Sequence, residues 1–355
     1  MDVGRSFAQT RISERNVSIL WIGAAGGTSL HRVNALRRLG HRVELVDLRT
    51  LLPRTPWIDR VTWRLGGNVL SPLVMRKLPQ RLGRGKYDLC CVDGGDWVTP
   101  RIIELLREHA QVIVNYNIDD PLGMRDGRRS VAYRQSLHYY DLCVVVRAEN
   151  VAEAMALGAR RVLRVYRAAD EAAHAPRPLA SGDEERWRAD VLFIGTWFPE
   201  RGPVFAELLA RGVPLTIRGA RWQKAPEWSQ LKSAWKGGEL FGDDYAKAIQ
   251  CAKVNLGLVS KGNRDQHTTR SLEIPALGGL LCAERTDEHL EMYDEGTEAL
   301  FWRDAAECAD MCAYALADED RRRRIAAAGH ARMAASRNYN EPIMQTIVDA
   351  AVRMT

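Results

Sequence analysis

The chain has 355 residues, of which 46% are hydrophobic and 27% are charged. This composition is typical of a soluble globular protein and excludes a largely disordered chain. The net charge is +6, but arginines are spread along the chain and the basic run at 321–324 directly follows three acids. A solvated helix face explains such a run, so we predict no nucleic-acid partner. The N-terminus lacks the apolar core of a signal peptide and no apolar run has the length of a membrane span, so we predict a cytoplasmic protein without stable membrane insertion.

The seven cysteines indicate a reduced protein without a metal centre. No pair has the C-x-x-C spacing of a zinc ribbon or a redox dithiol. Cys308 and Cys312 stand four residues apart, as two small core residues on one helix face do. We therefore expect free thiols, no metal and no cofactor.

The first half of the chain alternates short apolar strands with helices. The predicted strands are 17–22, 42–48, 88–92, 112–116, 142–146 and 162–165, and the predicted helices are 30–39, 100–108 and 151–157. Such alternation predicts a parallel sheet covered on both faces, here a first domain of residues 1–170.

A glycine-rich turn follows the first strand. It contains Gly23, Gly26 and Gly27, and Asp47 stands twenty residues beyond Gly27. The layout resembles a dinucleotide-binding fingerprint and leaves a nicotinamide-dependent dehydrogenase open. The spacing G-x-x-G-G differs from the usual G-x-G-x-x-G, which makes the dehydrogenase the weaker alternative.

Residues 171–188 are rich in proline and acids and lack periodicity, which indicates a linker. The alternation then restarts and defines a second domain, 189–340. Its predicted strands are 191–194, 215–218, 239–241 and 254–258, its predicted helices are 204–209 and 245–252, and a terminal helix covers 342–352. Two α/β halves joined by a linker enclose a cleft, a favoured place for a ligand.

The most informative segment follows the apolar run 254–259 and reads D-Q-H-T-T-R-S-L-E-I-P-A-L-G-G over residues 265–279. In an open α/β sheet, ligands bind at the carboxyl ends of the strands. A carboxylate there accepts the hydroxyls of a ribose, and neighbouring basic side chains hold a diphosphate. Glu273, three residues after Arg270 and five before Gly278, is the strongest candidate, and the pattern indicates a nucleotide-sugar site.

Asp265 and Glu273 are separated by seven residues, which resembles the acid-x7-Glu motif of retaining GT-B glycosyltransferases. The wider run T-T-R-S-L-E-I-P-A-L-G-G, followed by Y-D-E-G-T-E-A-L-F-W, is similar to the spore-maturation CgeB-like glycosyltransferases over residues 189–340. The resemblance implies a GT-B fold of two Rossmann-like domains, with residues 341–355 crossing back to the first domain. It also implies metal-independent transfer from a nucleotide diphosphate sugar by an enzyme of the hexosyltransferase type. Asp replaces the family's first Glu at position 265.

The candidate site residues fall into three groups. The residues expected to bind the nucleotide sugar are Gly195, Arg201, Arg221, Trp222, Lys261, Arg264, His267, Thr268, Arg270, Glu273 and Gly278. The Arg and Lys residues among them are the candidates for the diphosphate, and Trp222 either stacks on the base or packs on its loop. The residues expected on the acceptor side are Gly26, Gly27, Asp93, Asp96 and Asp120. The candidate catalytic residues are Asp265, His31 and Asp119, and a base at His31 or Asp119 would favour inversion over retention.

The predicted function is transfer of a sugar to an unidentified glycan, protein or small molecule. Two further alternatives share the donor site. A nucleotide-sugar 2-epimerase of the same fold needs no acceptor, and a non-catalytic binding module binds the donor without turnover. Donor-only product analysis separates the first, and binding without transfer or hydrolysis identifies the second.

Overall fold

The computed structural model describes residues 16–123, 125 and 127–354. Within these residues, the strands of the first domain form one parallel sheet in the order β2-β1-β3-β4-β5-β6. Apolar runs build these strands, and β4 is buried at all but one position. The strands are β1 Ser18–Ile22, β2 Arg42–Val46, β3 Tyr87–Asp93, β4 Ala110–Asn117, β5 Leu142–Val145 and β6 Val162–Arg164.

Helices cover both faces of this sheet, as parallel strands with crossover connections require. They are α1 Gly27–Arg38, α2 Trp57–Leu65, α3 Ser71–Leu82, α4 Pro100–Arg107, α5 Val131–Ser136 and α6 Ala148–Ala156. The core on one face joins strand residues such as Leu20 and Val92 to Ile58 of α2 and Val74 of α3. The sequence analysis assigned no helix to the α2 and α3 region.

The second domain repeats the architecture with a parallel sheet in the order β11-β10-β9-β7-β8. Its strands are β7 Ala189–Ile194, β8 Leu215–Arg218, β9 Ala252–Gly257, β10 Leu281–Glu284 and β11 Leu300–Trp302. Its helices are α8 Arg201–Ala210, α9 Trp228–Leu231, α10 Gly242–Cys251, α11 Arg270–Ala276, α12 Asp287–Met292, α13 Ala305–Ala317 and α14 Glu319–Ala335, and α7 Asp183–Trp187 precedes them. The predicted α/β fold with two Rossmann-like domains is confirmed.

The last helix, α15 Asn340–Val352, packs on the first domain. Ile343 and Ile347 share a core with Val17 and Ile19 of the first sheet. Arg38 of α1 links α15 to the segment between the domains, because its guanidinium contacts Glu341, Asp170 and Glu171. A helix from the far end of the sequence therefore packs against the first sheet.

One expectation about chain organisation needs correction. The region predicted as a strand at 239–241 has no strand, and Phe241, with 75% of its surface exposed, instead precedes α10. The segment predicted as a linker, 171–188, contains α7 and a buried His174. A proline-rich composition without periodicity does not reveal such burial.

The cysteines are free and mostly buried. The sulfur atoms of Cys282, Cys308 and Cys312 all lie within 4.8 Å of one another in the core of the second domain. Among the described residues, no helix is long and apolar enough to cross a membrane.

Candidate functional site

Glu273 lies on α11, which begins beyond the carboxyl end of β9, and its side chain is buried. The hydroxyl of Tyr245 donates to Oε2 at 2.5 Å, and Nε of Arg270 lies 3.9 Å from the same oxygen. Burial alone would raise the pKa of Glu273, but the Arg270 guanidinium and the Tyr245 hydroxyl outweigh it and hold the pKa below its ordinary value. The carboxylate is therefore held in its charged, hydrogen-bond-accepting form.

His174 adds a third partner that the sequence analysis did not find. Its Nδ1 accepts a hydrogen bond from the Asp170 backbone N–H at 2.8 Å, while its Nε2 lies 3.5 Å from Oε1 of Glu273. Burial lowers the pKa of His174 below its ordinary value. Because Nδ1 is an acceptor, the proton is on Nε2 and faces Glu273.

His31 connects this cluster to the first domain. Its ring lies edge-on to His174, with 5.5 Å between the ring centroids. Its Nδ1 is buried and has no hydrogen-bond partner among the described residues. The predicted catalytic histidine thus faces the Glu273 cluster from α1.

Gly278 and Gly279 shape the end of α11. Gly278 has φ of +79°, donates its N–H to Pro275 and ends the helix, a conformation that favours glycine. A Cβ on Gly279 would lie 2.8 Å from the Asn255 amide and 2.9 Å from Ile249. The pair therefore packs α11 against β9. At the other end of α11, the N–H of Thr268 donates to the Ser271 hydroxyl.

Arg201 and Lys261 line a cavity of about 280 Å³ that also includes Glu200 and Glu284. Nη1 of Arg201 donates to the carbonyl of Thr196 at 2.6 Å, and burial lowers the pKa of Arg201 to about 10. Its Nε is buried without a partner among the described residues. Two of the predicted phosphate-binding cations thus meet at one cavity.

Trp222 is not placed to stack on a nucleobase. Its side chain is fully buried, with its ring 5.2 Å from that of Phe205 and 5.9 Å from that of Phe193. The indole N–H donates to the Gly195 carbonyl at 2.9 Å. Of the two alternatives for Trp222, the structure favours packing, because the side chain belongs to the core and holds the Gly195 loop. The neighbouring Arg221 is exposed.

The structure also removes Arg264 from the phosphate-binding set. Its Nε donates to Asp120 at 2.7 Å and its Nη1 to Glu153 at 2.6 Å, both in the first domain. The hydrogen bonds with Glu153 and Asp120 raise the pKa of Arg264. Arg264 and Asp120 are thus occupied by each other at the domain junction, and the sequence alone did not reveal that they meet.

Asp265 is likewise paired across the junction. Arg147 of the first domain and Arg167 both contact Oδ1, and all three side chains are buried. The backbone N–H of Arg167 also donates to Nε2 of His267, whose Nδ1 contacts Glu288. A catalytic role for Asp265 and a substrate contact for His267 are not supported, because protein groups satisfy both side chains.

A cavity of about 560 Å³ lies at the carboxyl ends of β1, β3 and β4. Its wall contains the predicted acceptor-side residues Gly26, Gly27, Asp93 and Asp96 and the candidate catalytic residue Asp119. Nη1 of Arg32 contacts Asp93 at 2.8 Å, and Nε of Arg129 contacts Asp96 at 2.7 Å. The cavity therefore combines carboxylates with arginines that are already paired, and Asp120 is not on its wall.

Asp47 follows β2 and lies on the wall of the same cavity, but backbone N–H groups occupy its side chain. Its carboxylate accepts hydrogen bonds from the backbone N–H of Ala25 at 3.1 Å and of Arg49 at 2.8 Å. These bonds hold the glycine-rich turn in place. The side chain that would bind a ribose in a dehydrogenase is thus used by the protein, which weakens that alternative.

Comparison with solved structures identifies the class of fold. The chain is similar to a sucrose-phosphate synthase from Thermosynechococcus elongatus, with a TM-score of 0.67, 13% identity, and coverage of 96% of this chain and 99% of the other. It is similar to Anabaena HepE in complex with UDP and glucose, with a TM-score of 0.63, 14% identity, and coverage of 94% and 99%. It is also similar to a trehalose 6-phosphate synthase from Burkholderia multivorans, with a TM-score of 0.62, 11% identity, and coverage of 96% of this chain and 97% of the other. The protein has the GT-B fold.

A family model described as glycosyl transferase-like matches residues 201–349. This range contains Glu273, Arg270 and Lys261. No curated protein matches the chain. The comparisons thus associate the second domain with glycosyltransferases and leave the CgeB-like subtype as a prediction.

Proposed function

We propose that this protein is a glycosyltransferase that moves a sugar from a nucleotide diphosphate sugar to an acceptor bound at the first domain. The observation that carries the proposal is the buried Glu273 beyond β9, whose carboxylate is contacted by Tyr245 and Arg270. A fixed carboxylate is a suitable acceptor for two ribose hydroxyls. The family match to residues 201–349 supports the same assignment.

Arg201, Lys261 and Arg270 are the cations proposed to bind the diphosphate. Arg201 and Lys261 share one cavity, and Arg270 lies beside Glu273. Positive charge in this region would stabilise the departing nucleotide diphosphate, a task that other transferases give to a divalent ion. Because the HepE structures contain UDP and UDP-glucose, UDP is the first nucleotide to test.

The acceptor is proposed to occupy the 560 Å³ cavity of the first domain. Asp119 is the most exposed carboxylate on the cavity wall, with 49% of its side chain exposed. It is therefore the carboxylate proposed to contact an acceptor hydroxyl. Retention of anomeric configuration remains part of the proposal and is supported by the acid-x7-Glu spacing alone, since Asp265 is occupied. NMR of the initial product distinguishes retention from inversion.

Calorimetry with UDP, GDP and ADP, followed by product analysis with the matching sugar nucleotides, tests the proposal. Binding of a nucleotide diphosphate together with transfer to an acceptor supports it. Conversion of the donor sugar without an acceptor identifies the epimerase, and binding without any turnover identifies the binding module. Failure of every nucleotide diphosphate to bind rejects the donor assignment.

Metal independence is also part of the proposal. Activity in excess EDTA is expected to equal activity without it, because protein cations stabilise the leaving group. Complete loss in EDTA, restored by Mg²⁺ or Mn²⁺, would show that the reaction uses a divalent ion. The cytoplasmic location and the CgeB-like subtype stay predictions.

A further inference from the structure

The positive charge of the chain is concentrated in one segment of the first domain. Residues 51–86 contain eight Arg and Lys and one Asp, a net charge of +7, while the whole chain carries +6. The remaining residues are therefore slightly acidic as a set. Arginines are present throughout the chain, as the sequence analysis noted, but the surplus is local.

The same segment exposes large apolar side chains. Five of them fall within residues 57–73, whereas those exposed elsewhere in the described chain are scattered. They are Trp57, Trp63, Leu65, Val69 and Leu73, each between 41% and 50% exposed. A concentration of exposed apolar groups marks an interaction surface.

The helix α2 combines both features on its outer side. Trp57, Arg60 and Arg64 have the spacing i, i+3, i+7 and share one exposed face. Ile58 and Thr62 lie on the opposite, buried side, and Ile58 belongs to the core. The outer face is thus held rigidly by the fold and presents tryptophan beside arginine.

The basic side chains of this segment are available for an external partner. Within the described residues, five exposed arginines have neither an ion pair nor a side-chain hydrogen bond. They are Arg54, Arg60, Arg64, Arg76 and Arg84. Arg81, by contrast, contacts Glu44 at 3.1 Å.

We propose that α2 and α3, with the turn between them, form a peripheral docking surface for an anionic lipid bilayer. Tryptophan is suited to the headgroup region of a membrane, aliphatic side chains to the acyl boundary, and arginine to anionic headgroups. A second copy of this chain is disfavoured because two strongly basic surfaces repel each other. Nucleic acid explains the arginines but not the exposed Leu65, Val69 and Leu73, which offer no ring for base stacking.

The docking surface adjoins the first-domain cavity. The Trp97 indole N–H donates to the Thr62 hydroxyl of α2 at 2.9 Å, and the Arg129 guanidinium lies 5.1 Å from the centre of the Trp63 ring. Trp97 and Arg129 both line the cavity. A bilayer bound at α2 would therefore lie next to the wall of the acceptor-side cavity. This inference stands on charge and exposure and does not depend on the donor assignment.

Sedimentation of the full chain with vesicles tests the proposal. We expect binding to vesicles of 70% phosphatidylcholine and 30% phosphatidylglycerol, weak binding to pure phosphatidylcholine, and loss of binding as NaCl is raised. The double variant Arg60→Glu/Arg64→Glu should lower the partition coefficient by at least about tenfold. Trp57→Ser/Trp63→Ser should lower it at low salt as well, since apolar burial contributes.

Matched controls are Arg323→Glu/Arg324→Glu on α14 and Phe241→Ala, which change exposed residues outside the surface. They should bind vesicles like the unchanged protein, and all variants should keep its melting temperature. Equal loss in the control and surface variants would overturn the proposal, as would absence of binding to the anionic vesicles. Two other outcomes would assign the surface to a different partner. One is a dimer in solution that dissociates in Trp57→Ser/Trp63→Ser. The other is an RNA complex that survives this substitution in a protein that binds no vesicles.

Discussion

His174 places Nε2 3.5 Å from Oε1 of Glu273, and its other ring nitrogen is fixed by the backbone N–H of Asp170. A histidine from the segment between the domains thus lies against the carboxylate proposed to bind the donor ribose. Tyr245 holds the second carboxylate oxygen. The orientation of Glu273 therefore depends on residues far apart in the sequence.

Glu273→Gln should weaken binding of the nucleotide diphosphate by about 1.5–3 kcal/mol, because the charged acceptor of the ribose hydroxyls is lost. Tyr245→Phe should have a smaller effect in the same direction, because Glu273 loses one orienting hydrogen bond. Calorimetry measures both. Glu319→Gln on α14, an exposed acid, is the control. Unchanged affinity in Glu273→Gln would remove the central residue of the proposed site.

Asp265→Asn should act mainly on stability. The substitution leaves the buried guanidinium groups of Arg147 and Arg167 without their carboxylate. Loss of one member of a buried ion pair costs about 3–5 kcal/mol of the free energy of unfolding. Urea denaturation measures this change. Normal stability together with abolished transfer would instead return Asp265 to a catalytic role.

The sequence analysis located most strands because buried parallel strands are continuous apolar runs between turn residues. The predicted strand 112–116 lies within β4, for example. The prediction at 239–241 was wrong because three residues carry too little pattern, and Trp235 instead forms the bridge to Ile217 of β8. Long apolar runs predict strands well, whereas isolated short ones do not.

Site chemistry was harder to predict, because sequence spacing does not show which charged residues meet. Arg264 was assigned to phosphate from its neighbours in the chain, yet it contacts Asp120, 144 positions away. The position of Trp222 in a loop left stacking on a nucleobase and packing on the loop equally open, and only the structure shows that it is buried in the core. Glu273 was recognisable because strand, helix start and terminal glycines surround it within one segment.

Stability should fall in acid through the buried histidines, and His289 gives the clearest case. Its Nδ1 donates to the Glu284 carbonyl, its Nε2 accepts from the Ser271 hydroxyl, and burial lowers its pKa to about 4. The unfolded chain takes up the proton near pH 6.5 and the folded chain only near pH 4. This contribution to the free energy of unfolding is therefore complete above pH 6.5 and is lost as the pH falls towards 4.

The loss attributable to His289 is about 3 kcal/mol between these pH values. Urea denaturation at pH 7 and at pH 4.5 measures it. His289→Asn should reduce the difference between the two pH values even though it lowers stability at pH 7. His138→Asn, which changes an exposed histidine, should leave the difference intact. An unchanged difference in His289→Asn would contradict the expectation.

The two domains should divide donor and acceptor functions, which substitutions in the first domain can test. Asp119 lies on the 560 Å³ cavity, and Arg129 Nη2 is 3.4 Å from its carboxylate. Asp119→Asn keeps the shape of the side chain and removes its charge, so transfer should fall while donor affinity stays within about threefold, or ~0.7 kcal/mol. Asp59→Asn, which also changes an exposed carboxylate of the first domain, serves as the control for lost charge. Abolished nucleotide binding in Asp119→Asn, with normal binding in Asp59→Asn, would mean that the donor occupies the first-domain cavity. The glycine-rich turn would then be the nucleotide site, and Glu273 would have only a structural role at the junction of the domains.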